Sequence, residues 1–183
     1  RSGISNTALG ASSMQALTSG IGNTAVGEGA LFANTTGGNN TGIGAVALSA
    51  NTTASNNTAV GTWALQANST GESNTAVGYR ALNSNVTPGA LTAVGAQALE
   101  SNTGGSGNVA VGFTALRFNT DGYANVAVGR LAMRDGTIGA QSVAVGDAAL
   151  LKNDGLNNVG VGMNALGDNT SGGAYTIKLS ATN

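Results

Sequence analysis

The side chains in this sequence that could move a proton or hold a reactive charge form a short inventory. The 183 residues include no histidine and no cysteine. Ser-His-Asp and Cys-His nucleophilic arrangements are therefore excluded, and a zinc site would have to rely on carboxylates alone. The acids are Glu28, Glu72, Glu100, Asp121, Asp135, Asp147, Asp154 and Asp168; a glycosidase needs two of them facing each other within about 5–10 Å. A second group suits recognition instead of turnover: Trp63, Tyr79, Arg80, Phe113, Arg117 and Phe118, with Arg130 and Arg134. Aromatic faces and guanidinium groups engage sugar rings and protein surfaces. The glycine-rich "GVGMNALG" at 160–167 lacks both the G-x-G-x-x-G spacing and a Walker lysine, so no phosphate loop is read there.

Whether any of these groups meet depends on what positions them, and the chain answers with a repeat. Aligned on the glycine that closes "AVG", the copies fall at Gly10, Gly27, Gly44, Gly61, Gly78, Gly95, Gly112, Gly129, Gly146 and Gly162. The step is 17 residues eight times and then 16, the shortfall lying between Asn153 and Asn158 in an Asn/Gly turn that tolerates a deletion. With this glycine as position 0, position −1 is β-branched in nine of ten copies, position −3 is Thr up to Thr92 and Val from Val109, and position −2 is only Ala or Gly. That is a period-two strand of about five residues with a large face (−3, −1) and a small face (−2, 0). Positions +3 and +4 read Ala-Leu in eight copies, and position +7 is Asn in eight, followed by turn residues.

A unit this short, with so few large side chains, cannot close a core alone. Stacking closes one, each strand pairing with its equivalent about 4.8 Å away. The expected fold is all-β, a parallel β-solenoid of ten coils over residues 1–173, with Asn at −4 and +7 forming side-chain ladders. Residues 174–183 leave the repeat and form a capping strand or the lead into another domain. If Ala and Gly fill the thin interior, the large face looks outward, and Val26, Val60, Val77, Val94, Val111, Val128, Val145 and Val161 make a stripe that calls for a homo-oligomeric interface. The opposite assignment puts Val inside with Leu and leaves Ala/Gly outside.

Composition narrows the function classes. Thirty glycines, one proline and 8% charged residues are far from an average globular domain, yet 41% apolar residues in strict register argue for order over disorder. A net charge of −1 with seven basic residues does not supply a nucleic-acid surface. No stretch is apolar enough for a membrane helix. The chain opens at Arg1 without a leader, so a processed protein or part of a longer one is expected. Within the repeat, Glu28 and Asp147 share position +1 seven coils apart, and Asp135 and Asp168 share +6 with Lys152 between them, which reads as solvated charge. Pro88 interrupts one turn, with Leu91 where Asn is expected. The aromatic and arginine residues named above fall in the variable columns +1, +2, +5 and +6.

"NVAVGFTAL", "NVAVGRLAM", "SVAVGDAAL" and "NTAVGEGAL" resemble the head repeats of YadA-like trimeric autotransporter adhesins and related phage tail-fibre repeats. The resemblance covers about residues 4–170. It implies a left-handed parallel β-roll, three chains around a shared axis, and attachment to a host surface. The expectation is thus a non-enzymatic, extracellular module of a virion fibre or bacterial surface adhesin. It would need no cofactor or metal, and its partners would be two further copies, other fibre or stalk domains and a host glycan or receptor. Trp63, Tyr79, Arg80, Phe113, Arg117 and Phe118 are the ligand-contact candidates, unless the aromatics fill gaps between chains. The alternatives are an ice-binding solenoid that uses the Thr column or a self-assembling extracellular filament.

Overall fold

The computed structural model describes residues 3–169 and the backbone of strand 176–179. Each repeat contributes one strand: β1 (Thr7–Leu9), β2 (Thr24–Val26), β3 (Thr41–Ile43), β4 (Thr58–Val60), β5 (Thr75–Val77), β6 (Thr92–Val94), β7 (Val109–Val111), β8 (Val126–Val128), β9 (Val143–Val145) and β10 (Asn158–Val161). They stack in chain order as one parallel sheet, every repeat position facing its own equivalent, as in Thr58↔Thr75 and Val60↔Val77. The fold is a β-solenoid, without a helix among the described residues. A further strand, β11 (Thr176–Leu179), pairs in parallel with β10; the remainder of the segment from 174 to 183 lies outside the described residues.

Most strands are three residues long, shorter than the five that alternation suggests. The reason sits at position 0, where all ten glycines have φ between 116° and 138°. A Cβ there would come within 2.7 Å of the backbone of the next coil's glycine, for example 2.6 Å from the Gly95 carbonyl carbon at Gly78. Only glycine fits this column, and its conformation ends the strand. The chain then passes through left-handed conformations at +2 and +4, with φ of 47° to 53° at the Leu/Met column. Such conformations are costly for bulky residues. They are held here because the N–H groups at +2 and +4 both bond to the neighbouring coil: Arg80 N to Thr62 O at 3.1 Å, and Leu82 N to Ala98 O at 3.0 Å.

The interior is built from the small face. Ala59, Ala76, Ala93 and Ala110 at −2, the Ala at +3 and the Leu or Met at +4 are fully or almost fully buried, Leu166 in the last copy being partly so. This column supplies one large apolar side chain per coil, with Leu91 an added one. The Val column faces out, with Val77, Val94, Val111, Val128, Val145 and Val161 at 37–39% exposure; Val26 and Val60 are half-buried. The alternative with Val inside is thereby overturned. Ala at −2 and +3 leaves width for a single Leu, and a second branched column would not fit between them.

The other half of the interior is polar and almost wholly satisfied, Asn158 Oδ1 in the last copy being the one buried ladder oxygen without a partner among the described residues. Asn at −4 and Asn at +7 converge on the carbonyl at +10: Asn57 Nδ2 and Asn68 Nδ2 both donate to Gly71 O, each at 2.9 Å. Along the stack, Asn68 Nδ2 donates to Asn51 Oδ1 and Asn85 Nδ2 to Asn68 Oδ1. In the −4 column the backbone N–H of most coils donates to the previous Asn Oδ1, as from Asn74 to Asn57. Pro88 does not interrupt its turn. It occupies +10, where the carbonyl is the group the ladder needs and an N–H bond is made only at Gly20 and Gly105 among the described residues, and it accepts from Asn74 and Asn85 at 3.0 Å each. Leu91, buried at 1% exposure, takes its N–H to Asn74 Oδ1 but has no oxygen to pass the ladder on. The short coil is absorbed after Asn153, whose amide reaches Gly155 O two residues on, where other coils use three.

Candidate functional site

Because equivalent positions stack at one-coil intervals, the variable columns +2 and +5 become two rows of neighbouring side chains. The scaffold that fixes them is the left-handed backbone at +2, where Val46, Trp63, Arg80, Gln97 and Leu131 stay partly exposed while Thr114 and Ala148 are buried. Trp63 and Tyr79 meet with ring centroids 5.5 Å apart and planes tilted by 50°. The Arg80 guanidinium lies over the Trp63 ring, 5.7 Å from its centroid, a cation–π arrangement. Arg117 Nε donates to Glu100 Oε2 at 2.7 Å, and its guanidinium covers Phe118 at 4.9 Å. Arg80 Nε stands 3.0 Å from Glu100 Oε1, in ion-pair range, although its N–H makes no aligned hydrogen bond.

Five of the six ligand-contact candidates therefore form one chain of contacts: Trp63, Tyr79, Arg80, Arg117 and Phe118. Phe113 is 52% exposed, and no ring contact joins it to them. The node is Glu100, only 7% exposed, which also accepts from Gln97 Nε2 at 3.2 Å. Sequence reasoning counted Glu100 among the acids without seeing this role. Its place at +5, one coil before Arg117 and one coil after Arg80, which stands three positions earlier in the repeat, was the available signal.

The other basic side chains among the described residues are also paired. Arg130 Nη2 donates to Asp147 Oδ2 at 2.7 Å, and Lys152 lies 3.5 Å from Asp168. Arg134 holds Asp135 through two parallel bonds of 2.7 and 2.8 Å. These bonds hold the Asp135 carboxyl below its ordinary value, against a smaller opposing effect of burial, and raise Arg134 correspondingly. No group of three or more acids could hold a metal ion among the described residues. The guanidinium groups are thus largely committed to carboxylates, and the aromatic faces are what the surface presents. Tyr79 is 45% and Phe118 40% exposed.

No family model matches the chain, and neither does any curated protein or solved structure. The site is therefore described by its geometry alone. One part of it went unread in the sequence, although an aromatic residue in a variable column was the available signal. Phe32, at +5 and 44% exposed, lines an open groove of about 490 Å³ together with Ser12, Glu28, Gly29, Val46 and Ser49. Seven asparagines begin N-x-S/T sequons. Asn34, Asn51, Asn68 and Asn85 are buried ladder members, Asn39 and Asn56 are exposed, and Asn169 is half-buried.

Proposed function

We propose that the chain is a left-handed β-roll that assembles as a homotrimer and serves as a non-enzymatic attachment module of an extracellular fibre, on a virion or a bacterial surface. The observation that carries this reading is the outward column at position −1. It presents Ile43, Val77, Val94, Val111, Val128, Val145 and Val161 in register along one straight sheet, each more than a third exposed. A contiguous apolar stripe is favourable to bury against copies of itself, and cyclic symmetry closes such an interface without leaving a free face. The aromatic chain from Trp63 to Phe118 lies in other columns and would remain available to a host glycan or receptor.

Light scattering tests the assembly. A mass of three times 17.6 kDa is expected, falling to one chain when Val94 and Val128 are both replaced by Glu. In a monomer those exposed positions would tolerate the change within about 0.5 kcal/mol. A monomeric wild type overturns the trimer. Glycan-array and host-cell binding with Trp63→Ala and Phe118→Ala then test attachment. A second reading, ice binding, is favoured by one observation: Thr24, Thr41, Thr58, Thr75 and Thr92 stand in register beside the Val column on the outward face. Thermal hysteresis in a monomeric sample would support it; a trimer that buries this face would remove it.

A further inference from the structure

We infer that the groove over the first three coils is a binding site for a neutral hexopyranose unit, with Phe32 as stacking platform, Glu28 as acceptor for sugar hydroxyls, and Gly29 as the residue that opens it. The biological use of such a site rests on the attachment reading, but the groove uses none of the residues of the Trp63 chain. Its starting point is a glycine that the backbone does not require. Gly29 has φ 63°, yet the equivalent residues Val46 and Trp63 adopt 60° and 61° with full side chains. Nothing lies within 4 Å of the place its Cβ would occupy. In the following coils the same position is filled by Val46, Trp63, Arg80, Gln97, Thr114 and Leu131. Glycine here removes a side chain from a row that otherwise always has one between coils two and eight, and the space left is the groove.

The lining defines the ligand. The volume of about 490 Å³ falls in the usual range of small-molecule sites. Its walls are mainly apolar, with Phe32, Val46 and Ala50 among the lining residues and three polar ones, Glu28, Ser12 and Ser49, beside them. A pyranose has this division, a C–H face for an aromatic ring and hydroxyls at its edge, and an ionised carboxylate can accept two of them. Charge selects among sugars. No Lys or Arg lines the groove, and no ion pair engages Glu28 among the described residues. A uronate or sulfated sugar would bring a second anion beside Glu28 and be repelled.

Titration of the purified chain with glucose-, galactose- and mannose-terminated oligosaccharides, their uronate counterparts and amino sugars, followed by calorimetry and saturation-transfer NMR, tests this. A neutral saccharide should bind saturably, and the uronates at least tenfold more weakly. Gly29→Val, which reproduces the residue found at Val46 and so should fold, should weaken binding at least tenfold, and Phe32→Ala by a similar factor. Glu28→Gln should narrow the difference between neutral sugar and uronate, while Trp63→Ala changes nothing. The inference is overturned if no neutral sugar saturates, if uronates or amino sugars bind more tightly, or if Gly29→Val binds as the wild type does. Binding lost in Trp63→Ala but kept in Gly29→Val would leave the attachment reading standing without the groove. Groove binding by a chain that neither trimerises nor adheres to cells would do the reverse.

Discussion

The asparagine ladder makes a claim about stability that a pair of variants can isolate. Asn68 is fully buried and sits mid-ladder: its amide donates to Asn51 Oδ1 at 3.2 Å and Gly71 O at 2.9 Å, and its oxygen accepts from Asn85 at 3.0 Å. Asn34, also fully buried, is the first Asn of the same column; it donates to Gly37 O and accepts from Asn51. In Asn34→Ala every remaining partner keeps a bond, because Gly37 O still accepts from Asn23 and the Asn51 amide still reaches Ala54 O. In Asn68→Ala the Gly71 carbonyl keeps Asn57 and the Asn85 amide keeps Pro88 O, but Asn51 Oδ1 loses its donor. The packing lost is the same in both variants, so their difference reports one orphaned buried acceptor, about 1–3 kcal/mol. With about 1 kcal/mol for each net hydrogen bond, Asn34→Ala should cost about 2 kcal/mol and Asn68→Ala about 3–5. Urea unfolding at matched protein concentration measures this, since self-association would otherwise move the midpoint. Native-state hydrogen exchange should show the loss concentrated in the coils around residue 68. A difference below about 0.5 kcal/mol, or a larger cost at Asn34, would refute the view that the ladder is a stabilising network.

Other positions give further tests. Gly78→Ala, with φ +136° and its new Cβ 2.6 Å from the Gly95 carbonyl, should cost about 3 kcal/mol or more and open the stack locally, as read by hydrogen exchange. Glu100→Ala leaves two guanidinium groups facing each other without their acid; because both are about a third exposed, water offsets part of the loss, and about 1–2 kcal/mol is expected in thermal or urea unfolding. Asp135, held below its ordinary 3.8 by Arg134, contributes its stability in full at neutral pH. That contribution fades as pH falls through the unfolded value near 3.8 toward the lower folded one, so Asp135→Asn should flatten the acid limb of a stability–pH curve by less than about 1 kcal/mol.

The period, the two unlike strand faces and the Asn columns were legible in the sequence because each depends on what a residue is, repeated at a fixed step; which face turns inward stood between two assignments until the burial of Ala25, Ala59 and Ala76 decided it. Ala at −2 cannot do what Val at −1 does, and ten copies state the difference ten times. The conformations that shape the coil were not legible. Leu31, Leu65 and Leu99 carry no mark of a φ near 50°, since the left-handed state is imposed by bonds from the next coil and not by leucine's own preference. Strand length was overestimated for the same reason: alternation continues through the glycine at 0, but the backbone has already turned there. Pro88 looked like an interruption only because the amide it lacks was assumed to matter at a position that uses the carbonyl.

The recognition face was half legible, and the half that was missed follows a rule. Side chains that are present, such as Trp63 and Arg117, announce themselves in variable columns, and stacking brings them together because a solenoid turns a spacing of 17 residues into adjacency. Space does not announce itself. The groove beside Phe32 exists because Gly29 is small where its row is otherwise filled, and one glycine among thirty draws no notice in the sequence. Its meaning appears only once the crowded glycines, whose Cβ would strike backbone within 2.7 Å, are separated from the one that faces open space. In a repeat, then, residues that depart from their column by being smaller merit the same scrutiny as those that depart by being aromatic or charged. The scaffold keeps every backbone position constant, so each such departure translates directly into a change of surface shape.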